Sequence, residues 1–178
     1  MMSDAARPSE LPRAMEVGDQ IALLERVLAR LIDWIGKHDS KASVLLGINT
    51  ALLGVLGTLA GKQAVLSSCA LILLAAAVLP LGISFMFIYL GNFPKIKAAH
   101  PSLLYFGTIG KLEARSYERQ LRQLTQEEYV SDLISQCHMI AQIVATKFDR
   151  LQWAYRMLFL SLPFWSLSIY ALMDVPAK

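Results

Sequence analysis

Residues 34–54 of the chain read WIGKHDSKASVLLGINTALLG, and this stretch indicates the class of fold. A charged cluster, Lys37-His38-Asp39-Ser40-Lys41, runs into apolar sequence with no turn residue between the two. From residue 42 to residue 61 there is no Asp, Glu, Lys, Arg or His. Uncharged apolar runs of about 18 or more residues match the hydrocarbon thickness of a bilayer. The stretch therefore predicts one helix that passes from water into lipid.

Two further runs, residues 63–94 and 157–173, are equally free of charged side chains. Over the 178 residues, 55% are hydrophobic and 17% are charged, whereas soluble domains carry roughly 25% charged residues. This pattern predicts an all-α membrane protein with three transmembrane helices, at 42–60, 64–90 and 151–173. The first apolar run begins too late and is too long for a secretory signal peptide.

Long cytosolic helical extensions are predicted next to the spans. Residues 17–41 are expected to form an amphipathic helix, because apolar residues recur at alternating spacings of three and four. The seam is Ile21, Leu24, Leu28, Leu31 and Ile35. Residues 91–150 are expected to form a cytosolic helical block. Within it, a charged helix is predicted from Lys111 to Leu124, and a second helix is predicted from Thr125, with Glu128 as a capping-box partner.

The apolar residues of that second helix again follow a repeat near 3.5, and the helix continues into the third span. They are Val130, Leu133, Cys137, Ile140, Val144, Phe148 and Leu151. Residues 1–16, which are polar and contain two prolines, are predicted to be disordered. Six Lys and Arg residues precede the first span and eight lie between spans two and three. This bias predicts a cytoplasmic N-terminus and a periplasmic tail at 174–178.

Small residues recur along one face of the first span, at spacings of four and three: Gly47, Ala51, Gly54, Thr58 and Gly61. Such a stripe lets another helix approach closely in lipid. Asn49 lies about 200° around the helix from the first of these residues, at 100° per residue. An amide facing lipid is costly, so this second face is also expected to contact protein. Either three spans of one chain bury both faces, or one face packs within the chain and the other between copies.

The charged cluster before the first span also has two interpretations. Asp39 and Lys41 can act as anchors at the lipid headgroups. Alternatively, Asp39 pairs with a basic residue of the 91–150 block and couples the cytosolic helices to the span.

A basic cluster in the 91–150 block is the candidate ligand site. Lys111, Arg115, Arg119 and Arg122 are predicted to share one side of a helix and could bind a phosphate. Glu118 lies on the same side, so ion pairs within the helix and contacts with anionic headgroups are the competing explanation. Tyr105 and Tyr117 could stack on a base, or pack beneath the helices. No catalytic motif and no metal-ligand spacing is present, so neither an enzyme nor a bound cofactor is expected.

The order of motifs along the chain resembles a known family. DSKASVLLGINTALLG, a two-span hairpin, SLLYFGTIG, SYERQL, SDLISQCHMIAQIVATKFDRL and a last span are similar to the membrane effectors of Pycsar antiphage systems. The residues that carry most of the resemblance are Asp39, Lys41, Ala42, Asn49 and the step from Tyr105 to Gly107.

The resemblance implies a multi-pass protein of the bacterial inner membrane and a partner pyrimidine nucleotide cyclase. That cyclase makes cyclic UMP or cyclic CMP on infection, and the effector then impairs membrane integrity, which is abortive infection. The lipid bilayer and other copies of the chain are expected partners, and nucleic acid is not. Two alternatives remain open, a constitutive channel or transporter subunit and a passive membrane scaffold for a partner protein.

Overall fold

The computed structural model describes residues 15–63, 66–93 and 102–173, without the side chain of Phe106. Of this part of the chain 88% is helical and none is strand, which confirms the all-α class. The helices are α1 (Val17–Ala60), α2 (Ser68–Asn92), α3 (Phe106–Ile109), α4 (Ala114–Gln123) and α5 (Gln126–Met173). Three of them, α1, α2 and α5, are long and apolar enough to cross a membrane, as predicted. The predictions for residues 1–14 and 174–178 lie outside the described residues.

The chain divides into two compact units. Unit 1 comprises Met1–Ala29 and His100–Cys137, and unit 2 comprises Arg30–Ala99 and His138–Lys178. Helices α1 and α5 each contribute residues to both units.

Unit 2 is a bundle of three helices packed along seams with spacings of three, four or seven residues. Such spacing keeps one stripe of each helix against its neighbours, as in a coiled coil. The buried residues of α1 are His38, Ala42, Leu45, Asn49 and Leu56. Those of α2 are Ala70, Ala77, Leu81, Ser84, Ile88 and Gly91. Those of α5 in this unit are Lys147, Leu151, Ala154, Leu158, Ser161, Ser168 and Leu172.

Contacts at the two ends of the bundle give the directions of the helices. Asp39 of α1 contacts Lys147 of α5 at one end, and the side chain of Gln63, after α1, donates to the carbonyl of Leu172 at the other. Helices α1 and α5 are therefore parallel. Gly91, near the end of α2, lies beside His38, so α2 is antiparallel to both. The charged ends of α1 and α5 consequently lie at the same end of the bundle.

Helix α2 begins later than the predicted start of the second span at residue 64. Leu66 and Ser67 precede the helix, and residues 64 and 65 are outside the described part of the chain. Ser67 has an extended backbone, and its side chain accepts a hydrogen bond from the Ala70 amide. A serine N-cap of this kind satisfies an amide that has no partner in the first helical turn, which explains the start at Ser68.

Unit 1 contains the first part of α1, the short helices α3 and α4, and the first part of α5. Tyr129 donates a hydrogen bond to Glu25 at 2.8 Å, joining α5 to α1. The predicted capping box is confirmed, because the Thr125 amide donates to Glu128 at 2.9 Å and the Glu128 amide donates to the Thr125 hydroxyl at 3.2 Å. The bonds from Thr125 hold the pKa of the Glu128 carboxyl below its ordinary value.

Candidate functional site

The basic cluster lies on and just before α4, in unit 1. The helix begins at Ala114, so the prediction that Lys111 belongs to it is wrong. Instead, the Lys111 amide donates to the Thr108 carbonyl at 3.1 Å in the turn after α3. Glu113 then adopts an extended backbone before α4 starts, which separates the two helices.

Arg115, Arg119 and Arg122 share a face of α4, because they are four and three residues apart. All three side chains are exposed. Arg122 binds Glu118 within the helix, with an Nη2 to Oε1 distance of 2.9 Å. Among the described residues, Arg115 and Arg119 have no carboxylate partner. Two guanidinium groups of this face are thus available to an anion.

Tyr105 and Tyr117, the two candidate stacking residues, are both partly buried. The position of the Tyr105 ring explains why residue 107 is glycine. Tyr117 lies on α4, where its amide donates to the Glu113 carbonyl. The ring of Tyr105 lies over Gly107, so that a Cβ atom built on Gly107 would be only 2.5 Å from the Tyr105 Cε1 atom. The YFG step therefore needs glycine at its third position, because any side chain there would displace the ring.

A cluster of charged and aromatic side chains, the collar, lies at one end of the three-helix bundle in unit 2. It consists of His38, Asp39 and Lys41 on α1 and Lys147, Phe148 and Arg150 on α5. The Lys147 ammonium lies 2.5 Å from the Asp39 carboxylate, and only 8% of the Lys147 side chain is exposed. Lys147 is thus the basic residue that Asp39 contacts in the 91–150 block.

Other contacts tie the three helices together at the collar. His38 is buried, and its Nδ1 atom lies 2.9 Å from Asp39. Burial alone would raise the pKa of the Asp39 carboxyl, but bonds from Lys147 and His38 more than offset this, and the pKa lies below its ordinary value. On α2, the Leu90 carbonyl accepts a hydrogen bond from Arg150.

Aromatic contacts complete the collar. Phe148 packs edge-on against His38 and Trp34, with ring centroids 5.6 and 5.7 Å apart. The Lys41 ammonium lies 5.8 Å from the centre of the Phe148 ring. Both coupling candidates, Asp39 and Lys41, therefore contact consecutive residues of α5.

The two faces of α1 have different surroundings in unit 2. Asn49 is fully buried and donates a hydrogen bond to Ser84 of α2 at 2.8 Å. The small-residue stripe of Gly47, Ala51, Gly54, Thr58 and Gly61 is exposed along its whole length. A Cβ atom built on Gly47 or Gly54 would have no neighbour within 4 Å. Of the two interpretations, burial of both faces within one chain does not occur here.

Four residues of these sites were not predicted from the sequence, namely Lys147, Arg150, Ser84 and Gly91. Lys147 occupies a seam position that the apolar pattern assigned to its neighbour Phe148, which is only partly buried. A strict repeat with alternating steps of three and four places the next seam residue after Val144 at position 147. The step of four that follows then leads to Leu151. Ser84 and Gly91 lie in a span so uniformly apolar that composition does not distinguish one face from another.

Together, the charge-free helices, their buried seams and the charged collar define an all-α membrane protein with three spans. A sequence model of the Pycsar effector protein domain matches residues 23–172. The chain therefore belongs to the Pycsar effector family, as the resemblance indicated, and its role is that of a Pycsar antiphage effector. Membership in this family implies a cyclic nucleotide signal from a partner cyclase. Among curated proteins and among solved structures, no significant match to the chain was found.

Proposed function

We propose that this protein is an abortive-infection effector that cyclic UMP or cyclic CMP activates and that impairs the integrity of the inner membrane. The nucleotide comes from the partner cyclase, and the effector itself catalyses no reaction. The observation that carries the proposal is the match to the Pycsar effector domain over nearly all of a chain with three spans.

The nucleotide binds in the helical block between spans two and three, at the basic face of α4. A cyclic nucleotide offers a phosphodiester anion, for which guanidinium groups are favourable partners. Arg115 and Arg119 supply two such groups, and Lys111 and Arg122 lie nearby in sequence. Tyr105 and Tyr117 supply aromatic rings for the pyrimidine.

Both long helices connect polar sequence with a charge-free span, and this continuity is the route by which binding affects the membrane. Helix α1 passes from Asp19 to the uncharged residues after Lys41 without a break. Helix α5 similarly passes from Glu127 to the uncharged residues after Arg156. The nucleotide shifts the resting state towards the active one only by its difference in affinity between the two states.

The active state is a homo-oligomer in the inner membrane, with the N-terminus in the cytoplasm and the C-terminus in the periplasm. The exposed stripe on α1 supplies the surface on which copies pack, because small residues permit close contact between helices in lipid. The basic bias of the segments before span one and after span two supports the orientation.

Dye release from liposomes tests the proposal directly. Protein in vesicles that contain a self-quenched dye should release it on addition of cyclic UMP or cyclic CMP, and not on addition of cyclic AMP. Arg119→Gln should raise the nucleotide concentration needed for release. The matched control is Lys62→Gln, which neutralises an exposed basic residue after α1. Absence of release with both pyrimidine nucleotides at every protein density would refute the proposal.

The same vesicles distinguish the two rival functions. A constitutive channel would release ions or dye without nucleotide. Ion pathways usually carry a charged residue within a span, and the three apolar runs of this chain contain none. A passive scaffold would release nothing and would tolerate a bulky residue at Gly54. The effector should release dye only with nucleotide and lose this activity when Gly54 is replaced by leucine.

A further inference from the structure

Two polar side chains in the interior of the three-helix bundle form a chain of hydrogen bonds across all three helices of unit 2. Asn49 of α1 donates to the Ser84 hydroxyl of α2 at 2.8 Å. Ser84 in turn donates to the Ala154 carbonyl of α5 at 2.9 Å. Both side chains are fully buried. The pair therefore joins the helices at a level where the surrounding sequence has no charge.

The Asn49 side chain has an acceptor that this arrangement leaves unpaired. Its Oδ1 atom is buried and has no hydrogen-bond partner among the described residues. In lipid no water is available to satisfy such an atom, so the closed bundle carries an uncompensated desolvation cost. Any state that brings water or another donor to this oxygen removes that cost.

Four other serine and threonine side chains of the spans donate hydrogen bonds to their own helix and not to a neighbouring one. Ser161 and Ser168 are also buried, but they donate to carbonyls of their own helix at 2.6 and 2.7 Å. Thr50 and Ser166, which are exposed, likewise bond to their own helices. Among the described residues of the charge-free runs, Asn49 and Ser84 form the only hydrogen bond between side chains of different helices.

The outer surface of the bundle is poorly suited to contact water. Large apolar side chains are exposed on all three helices, including Ile48, Ile72, Leu79, Met86, Phe159 and Leu167. A passage between intact bundles would be lined by such groups, and narrow apolar passages exclude water. The hydroxyl groups exposed on this surface, such as Thr50 and Ser166, bond to their own helices, whereas Asn49 and Ser84 lie inside the bundle.

We infer that Asn49 and Ser84 line the aqueous passage of the active state, where they contact water and small hydrated ions. The three helices separate at this level, the bonds between Asn49, Ser84 and the Ala154 carbonyl break, and water takes their place. The small-residue stripe lies on the opposite side of α1 and remains available for packing between copies. This inference deepens the proposed function and rests on it.

Cysteine accessibility tests the inference with two serines of matched size. Ser84→Cys places a thiol inside the bundle, and Ser166→Cys places one on the exposed surface of α5. Each is made in full-length protein that lacks its native thiols, Cys69→Ala and Cys137→Ala, and is reconstituted in dye-loaded liposomes. A charged, membrane-impermeant methanethiosulfonate reagent is then added with and without cyclic UMP or cyclic CMP.

The expected result is that the reagent modifies the Ser84→Cys thiol at least about tenfold faster with the activating nucleotide than without it, and that modification alters the leak. The Ser166→Cys thiol should remain unmodified in both conditions, because lipid covers it. Release of dye without modification of Ser84→Cys, or with modification of Ser166→Cys instead, would overturn the inference and leave the proposed function intact. Absence of any release would contradict both.

A second variant guards against a failure of Ser84→Cys to fold. Asn49→Leu removes the unpaired acceptor and replaces it with an apolar group of similar volume. Release of dye should become about tenfold slower, since each factor of ten corresponds to about 1.4 kcal/mol in the opening equilibrium. Resistance of the bundle to thermal unfolding should be unchanged or higher. Unchanged release by a folded Asn49→Leu protein would also overturn the inference.

Discussion

At the scale of single residues, the pair formed by Asp39 and Lys147 is the shortest ion pair among the described residues of unit 2. The ammonium of Lys147 is nearly buried, whereas half of the Asp39 side chain is exposed. A buried ion pair contributes little net stability when both members are present, but removing one member leaves an uncompensated charge. The consequences of substitution are therefore expected to be asymmetric.

Asp39→Ala should lower the free energy of unfolding by about 2–3 kcal/mol, which is less than for a fully buried pair because Asp39 is partly solvated. Lys147→Met should have a much smaller effect, since it removes the charge and keeps the length of the side chain. Adding Lys147→Met to Asp39→Ala should restore most of the loss. Thermal unfolding in detergent micelles measures all three variants, and equal losses in the two single variants would contradict this account.

The contact between Tyr105 and Gly107 leads to a second prediction for a single residue. A methyl group on Gly107 would overlap the Tyr105 ring, and overpacking of this kind costs about 1–3 kcal/mol. Gly107→Ala should accordingly increase hydrogen exchange in residues 102–123. In the Tyr105→Ala background the same change should have almost no further effect, because the ring it displaces is absent. Additive effects of the two substitutions would show that the contact is unimportant.

At the scale of helices, one repeat runs through both the charged and the charge-free parts of α1. The seam predicted from Ile21 to Ile35 continues with alternating steps of three and four through His38, Ala42, Leu45 and Asn49. The amide therefore lies on the interior stripe of its helix, and the small-residue stripe lies on the exterior. Extending the repeat along the sequence predicts both positions, because the seam stays on the same face of the helix where the charged part of α1 meets the charge-free part.

The exposed stripe leads to a prediction about packing between copies. Gly54→Leu should leave the chain folded, since a Cβ atom at Gly54 has no neighbour within 4 Å, but it should prevent close approach of a second helix. Gly57→Leu is the matched control, because Gly57 has equally open surroundings and lies about 80° from the midline of the stripe at 100° per residue. Cross-linking in liposomes with nucleotide should show oligomers for the control and not for Gly54→Leu. Normal oligomers of Gly54→Leu would exclude the stripe as the interface.

At the scale of the whole molecule, the parallel arrangement of α1 and α5 bears on orientation. The collar contacts place the charged ends of both helices at the same end of the bundle. The Lys and Arg residues concentrate in the segments next to these ends. The segments that adjoin one end of the bundle are thus rich in basic residues, and by the positive-inside rule this supports the proposal that this end faces the cytoplasm.

Reporter fusions test this orientation in cells. Alkaline phosphatase, which is active only in the periplasm, should be active when fused after Lys178 and inactive when fused before Met1. A fluorescent protein that fails to fold in the periplasm should show the reverse pattern. Phosphatase activity at the N-terminal fusion would mean that the basic end faces outwards, and the proposed access of a cytoplasmic nucleotide to α4 would then be excluded.

The amino-acid sequence alone is enough to predict the all-α class, the three spans and the family. A helix satisfies its backbone hydrogen bonds within its own segment, so it can cross lipid when about 18 or more residues are uncharged and apolar. Composition is therefore enough to locate the spans, and the motifs along the chain carry the resemblance. The three-dimensional structure was needed to show that Asp39 pairs with Lys147, that Asn49 bonds to Ser84, and that Lys111 lies outside α4. These contacts join residues as far as 108 positions apart, and they depend on how each helix is rotated about its axis against its neighbours. A periodic sequence shows which residues share a helix face, but which helix contacts that face depends on how the helices pack.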